Sequence, residues 1–296
     1  MGPIEVVVRR GNVVEARHRV HAVAVRAGEI VAEAGNTGLR PFMRSSSKPI
    51  QALPLVRSRP DLDERDVAIA CASHRAEPVQ LEAVRRLLAK TPARERELEC
   101  GVQEGRPPEP LYHNCSGKHA GMLALCRAHG WRSEGYRHEG HRVQRAMLAA
   151  HAEAAGVDDG AVPTAVDGCG VVTFALTLER MANAFARLAG LRGGDRIAEA
   201  MQAHPELIGG SGQTDTELMR ALPGWIAKGG AEGLMCAAGP DGLGVALKSE
   251  DGTSRPHRPA LHALLGRLEV ELPDEFASVP VLNAHGETVG EIVIAA

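Results

Sequence analysis

In Val6-Val7-Val8-Arg9-Arg10-Gly11-Asn12-Val13-Val14-Glu15-Ala16-Arg17-His18-Arg19-Val20-His21-Ala22-Val23-Ala24-Val25, β-branched runs flank a Gly-Asn pair. Valine suits the pleated strand, and Gly11-Asn12 supplies the turn between two strands. Ala27-Gly28 marks the next turn, and Ile30-Val31 continues the meander. The connections are too short for crossover helices, so the strands are read as antiparallel. The far end of the chain returns to the same pattern. Gly233 to Ala238, Leu243 to Lys248, Val279 to Asn283 and Val289 to Ile294 are short apolar runs, punctuated by Pro240-Asp241-Gly242 and Asp251-Gly252.

Helical signals fill the interval. Glu77-Pro78 opens one helix, with Val84, Leu87 and Leu88 on one side. Over 171–188, Phe174, Leu178, Met181, Phe185 and Leu188 recur at helical spacing and predict one helix with a buried stripe. Further helices are predicted over 117–129, 140–155, 194–203, 213–221 and 259–267. The fold class is α/β (α+β): a central, mostly antiparallel sheet built from both termini, with a helical middle packed around it. One domain over 1–296 is expected, with about 60–220 as a candidate helical subdomain. Pro107-Pro108-Glu109-Pro110 is its candidate boundary, or equally an exposed polyproline-like loop.

The net charge is −3, which leaves no basic face for general nucleic-acid binding and no polybasic membrane anchor. Hydrophobic residues are 44% and charged ones 24%, as in a folded globular chain rather than a disordered one. No apolar run approaches the roughly 18 residues that span a bilayer. Met1-Gly2-Pro3-Ile4-Glu5-Val6 lacks the features of a secretory signal, and Val6 stands where a myristoylation pattern needs Ser or Thr. A cytoplasmic location is expected, where the six cysteines would be free thiols or metal ligands rather than disulfides.

Arg44-Ser45-Ser46-Ser47-Lys48-Pro49 precedes the apolar Ile50-Gln51-Ala52-Leu53. Pro49 is tolerated in a first helical turn, so a helix beginning near Ser46 is predicted. Ser45 and Lys48, three apart, then share one side of a turn. A neutral lysine can deprotonate a serine, and a helix start favours an oxyanion. A capping serine with a solvated lysine fits the same spacing, and three consecutive serines leave the register open. Ala72-Ser73-His74 follows the apolar Val67-Ala68-Ile69; by itself it reads best as a capping serine and a surface histidine. On Leu243 to Lys248, Gly244, Ala246 and Lys248 share one face, a face with room for a ligand; a solubilising lysine on an edge strand is the alternative.

Asn114-Cys115-Ser116-Gly117-Lys118-His119 is not a phosphate loop, because Tyr112 and His119 occupy positions that require Gly and Ser or Thr. With Asp167-Gly168-Cys169-Gly170 it offers two thiols and further donors for zinc, against a default of buried apolar cysteines. His138-Glu139-Gly140-His141 is one residue short of a zinc-protease motif. Gly209-Gly210-Ser211-Gly212 lacks nucleophile-elbow spacing and reads as a flexible loop lining a pocket ahead of a helix near Asp215.

Together, Arg44 to Pro49, Ala72-Ser73-His74, Asn114 to His119, Asp167 to Gly170 and His204-Pro205-Glu206 resemble the Rhizobium etli-type (class 3, asparaginase II family) L-asparaginases. So do Lys228-Gly-Gly-Ala-Glu-Gly233, Gly244 to Lys248 and Val289 to Val293. The resemblance covers nearly the whole chain and implies a fold like that of serine β-lactamases and penicillin-binding proteins. There a Ser-x-x-Lys serine is acylated, a second serine follows, and a Lys-Thr-Gly lysine lies on a strand. It implies hydrolysis of L-asparagine to L-aspartate and ammonia. Ser45 and Lys48 would form a first Ser-Lys tandem, Ser73 and Lys248 a second. Arg44, His74, Asn114 and Asp167 would surround the substrate, and Cys115, Lys118 and Cys169 would hold zinc with Asp167 close by. The resemblance also implies a homodimer. The chain departs at Arg75-Ala76, where relatives have a small residue and Gly, at the edge of the implied pocket. The alternatives are a related serine amidohydrolase (a glutaminase, or a small amide or lactam hydrolase) and a zinc-dependent amino-acid-binding protein.

Overall fold

The β-branched runs at the two chain ends form neighbouring strands of one antiparallel sheet in the computed structural model, which describes residues 1–295. Its strands are β1 (Ile4–Arg10), β2 (Val13–Arg26) and β3 (Glu29–Ala34) from the amino-terminal end. β4 (Thr164–Val166) and β5 (Val172–Phe174) form a separate two-stranded ribbon. The rest of the sheet is β6 (Ile226–Gly230), β7 (Leu234–Ala238), β8 (Leu243–Ser249), β9 (Val279–Leu282) and β10 (Thr288–Ile294). The order is β6-β7-β8-β2-β1-β10-β9, with every pair antiparallel.

The 14-residue β2 joins the two halves. Its first half pairs with β1, and its second half lies between β3 and β8. β1 pairs with β10 in the register Val6↔Ile294 to Arg9↔Glu291.

Five helices carry functional side chains or cover the sheet: α1 (Lys48–Gln51), α2 (Ser116–Ala128), α3 (Leu178–Leu188), α4 (Thr214–Ala221) and α5 (His257–Gly266). α3 packs on β2, β7 and β8; α5 packs on β1, β2, β8 and β10. Both faces of β8 are therefore buried. Gly244 is required there, because a Cβ at that position would lie 2.0 Å from the Ala182 carbonyl oxygen of α3. Among the described residues no helix is long and apolar enough to cross a membrane, and all six cysteines are buried and free.

Two expectations are corrected. The helix predicted over 171–188 begins only at Leu178, capped by the Thr177 side chain, which accepts from Arg180 N–H. Val172-Thr173-Phe174 is instead β5. Phe174 matches the helical stripe by spacing, yet it is buried from a strand and stacks on His151. The helix near Ser46 is also subdivided. Arg44–Ser47 is a 3₁₀ turn that runs into the single-turn α1, with Pro49 in its first turn. The strand β6 is absent from the sequence reading, because Gly229-Gly230 lowers its apparent strand propensity.

Candidate active site

The serine run sits where the 3₁₀ turn meets the edge strand β6. A Cβ on Gly230 would be 2.9 Å from Met43 O and 3.0 Å from Ser46 Oγ, so only glycine permits this approach. The chain entering the turn is held on its other side by β5. Met43 N–H donates to Phe174 O (2.8 Å) and Arg44 N–H to Thr173 Oγ1 (3.2 Å). The Arg44 side chain donates from Nε to Asp167 Oδ1 at 2.6 Å. These ties hold Arg44 at φ +50°, a left-handed conformation that is strained for a residue with a Cβ.

The three serines then part company. Ser46 Oγ donates to Met43 O (2.6 Å) and Ser47 Oγ to Arg44 O (2.7 Å), and both are buried. Ser45 is half-buried and lines a cavity of about 320 Å³, together with Ser73, His74, Asn114 and Lys228. That volume is near the lower end for small-molecule sites.

Lys48 lies behind this wall, fully buried. Its Nζ donates to Ala72 O at 2.6 Å and to Ser73 Oγ at 2.8 Å. Burial pushes its ammonium down to about 8; Cys115 opposes that shift, while Lys118 and Lys228 reinforce it. The second lysine at the cavity is Lys228 on β6. It donates to Asp215 Oδ2 (3.1 Å), which also receives Gly229 N–H (3.0 Å). Burial works against the Asp215 carboxylate, but Lys228 and these donors keep it below the usual carboxylate range.

Two histidines complete the wall. His74 accepts from Ala76 N–H at Nδ1 (3.1 Å), so its Nε2–H donates to Ser116 Oγ (2.7 Å). Burial pushes His74 down to about 3 and His257 to about 4, so both are neutral near pH 7. His257 Nε2 has no hydrogen-bond partner among the described residues.

The L-asparaginase II family matches this chain over residues 6–294. The chain belongs to that family. Membership implies a hydrolase acting on amides, with a small-molecule substrate. No curated protein matches the chain.

Of the residues named from the sequence of this L-asparaginase II family member, Ser45, Ser73, His74 and Asn114 meet at the cavity, with Lys48 bonded to Ser73. Arg44 and Asp167 pair with each other outside its wall, where they hold the entry to the serine turn. Cys115, Lys118 and Cys169 converge beside it. Lys118 Nζ donates to Cys169 Sγ at 3.1 Å. The neighbouring Cys169 thiol lowers the Cys115 thiol, and burial opposes it. Burial opposes the charge on Lys118, yet the two sulfurs hold it protonated. Among the described residues no three His, Cys, Asp or Glu side chains cluster as a metal site; this trio reaches three donors only by counting the lysine amine.

Lys248 is not brought to the cavity. The expected face is right, since Gly244, Ala246 and Lys248 do point one way, but α3 fills the room above it. Lys248 Nζ donates to Ser249 O. β7 separates β8 from β6, which sets Lys248 roughly 10 Å to the side of Lys228 by strand spacing. The missed groups are Lys228, Asp215, Arg106 and His257. Lys228 opens the specific stretch Lys228 to Gly233 and was the one legible candidate among them.

The two lysines should differ in the fold as well. Lys228→Met leaves Asp215 buried without its cation and should cost about 3–5 kcal/mol at pH 7. Lys248→Met should stay within about 1 kcal/mol, as for an isolated surface change. Urea unfolding of the two variants beside the parent checks the order.

Proposed function

We propose that this chain is an L-asparaginase that hydrolyses L-asparagine through an acyl-enzyme on Ser45. One observation carries the reading: of three adjacent serines, two are tied to backbone carbonyls, and the third faces a small cavity served by two buried lysines. The same arrangement supports the finer likeness to the Rhizobium etli-type enzymes and to serine β-lactamases. In that comparison Ser45-x-x-Lys48 is the first element, Ser73 the second serine, and Lys228-Gly-Gly on β6 the strand lysine.

Lys48 is the base. As a neutral amine it has two N–H donors and one lone pair. The bonds to Ala72 O and Ser73 Oγ employ both donors and leave the lone pair free. Ser45, one helical turn earlier, gives its proton to that lone pair as Oγ attacks the side-chain amide carbon. The oxyanion is met by backbone N–H groups at the turn and on the edge strand. Gly229 directs its N–H away from β7 to Asp215, and Ala231, just past the end of β6, lines the cavity and would offer its N–H there. The C–N bond then breaks. The proton returns from Lys48 to the departing nitrogen through Ser73, with Lys228 as the neighbouring cation, and ammonia leaves a β-aspartyl ester. Water, deprotonated by Lys48, opens the ester and releases L-aspartate.

Cys115, Lys118 and Cys169 fit zinc, since two thiols and an amine already converge, and binding there would release their protons, that of Lys118 included. When bound, zinc would supply a fixed positive charge that orders the pocket floor; the Ser-Lys steps do not pass through it.

Ammonia release from L-asparagine tests the activity directly. Ser45→Ala should lower kcat by about 10³-fold or more. Ser46→Ala and Ser47→Ala, each losing one neutral hydrogen bond, should stay within about tenfold. Equal losses at all three positions would reject Ser45 as the nucleophile.

Lys48 must be uncharged to accept the proton. The charged form predominates below pH 8, so kcat/KM should fall by about tenfold per unit below that point and level off above it. A pH–rate profile with no inflection between pH 7 and 9 would exclude Lys48 as the base.

Elemental analysis of protein purified without chelator should find one zinc per chain, lost in Cys115→Ser and in Cys169→Ser. Metal retained in both variants would place it elsewhere.

A further inference from the structure

Lys228 and Asp215 match one another's charge. Two cations of the cavity wall have no such partner among the described residues. Arg106 Nη1 donates to Tyr112 O (2.8 Å) and His74 O (3.2 Å), which fixes its guanidinium beside the His74 segment. Neither Nε nor Nη2 has a protein acceptor among the described residues. Arg75 stands at the exposed rim. Its chain passes close to Gly210, where a Cβ would lie 3.1 Å from Arg75 Cδ, and Ala76 after it is held at φ +63°. Arg75 and Arg106 line the same cavity, and burial together with the charge of Arg75 presses the Arg106 guanidinium below its usual range.

Two guanidiniums around one small cavity repel each other when it is empty, and an anion between them relieves the repulsion. An arginine fixed by backbone carbonyls also presents its remaining N–H groups in the planar fork that matches a carboxylate. A carboxamide at Ser45 and a carboxylate at the arginine end would together occupy a cavity of this size.

We propose that Arg106, assisted by Arg75 at the rim, is the carboxylate-binding end of the cavity and selects amides that carry a carboxylate, which rests on the amidohydrolase reading of the same site. Arg106 is the anchor, because it is half-buried and preorganised. Arg75 is exposed and contributes chiefly by attracting the anion, a contribution that salt screens.

The experiment compares kcat/KM for L-asparagine with that for L-aspartic acid diamide, whose second carbonyl carries no charge. Arg106→Gln should reduce the preference for L-asparagine by about tenfold or more, mainly through KM. Arg106→Lys should recover part of it, and Arg75→Gln should reduce it by about two- to fivefold. Equal losses on both substrates, or an unchanged preference in Arg106→Gln and Arg75→Gln with melting temperatures like the parent's, would overturn the assignment. If the parent released ammonia from neither amide, the amidohydrolase reading would fall. Calorimetric titration with L-aspartate would still judge the subsite: about tenfold weaker binding in Arg106→Lys or Arg106→Gln supports it, and equal binding overturns it.

Discussion

The site depends on one buried ammonium that has no carboxylate. Lys48 is held by a carbonyl and a hydroxyl, Ala72 O and Ser73 Oγ, and by nothing of opposite formal charge within hydrogen-bond reach. Removing a charge from water is expensive, and two neutral acceptors do not repay it, so the proton is loosely held. Lys228 meets the same burial with Asp215 beside it. Two lysines near one cavity therefore have different surroundings, one facing only neutral acceptors and one paired with a carboxylate. The bonds of Lys48 also tie the serine turn to the 72–74 segment.

The surroundings hold the serine turn from three sides. β5 receives Met43 and Arg44 through Phe174 and Thr173. Asp167 fixes the Arg44 side chain, and β6 presses close enough to require Gly230. These contacts offset the left-handed strain at Arg44 and leave Ser45 as the serine whose hydroxyl is not turned back on the backbone. The thiol–amine trio lies just behind, at the start of α2 and in the 167–170 loop, the loop whose Asp167 also holds the Arg44 side chain.

The terminal strands were legible because valine runs broken by Gly-containing turns leave little choice of structure. The serine, histidine and asparagine at the cavity were legible through the family resemblance rather than by themselves: Ser73-His74 alone reads as a capping serine and a surface histidine, whereas His74 is buried against Ser116. Lys248 misled for a definite reason. Alternation along β8 correctly assigned its face, but alternation says nothing of which strand borders the serine turn, nor that α3 covers Gly244. β6 escaped notice because its glycines, which admit the turn, also erase the strand signal. Arg106 lies in a stretch without regular structure, and only the folded chain brings it beside His74. The 171–188 stripe failed because one aromatic of a ribbon fell by coincidence on helical spacing.

Pairing β1 with β10 has a consequence for biosynthesis. Arg9 and Glu291, bonded across that seam, are 282 residues apart in the chain. At about 5–20 residues per second, β1 waits roughly 15–60 s for its partner to be translated. Throughout that interval the nascent polypeptide carries an open, valine-rich edge, and the last strand acts as the latch that removes it from solution.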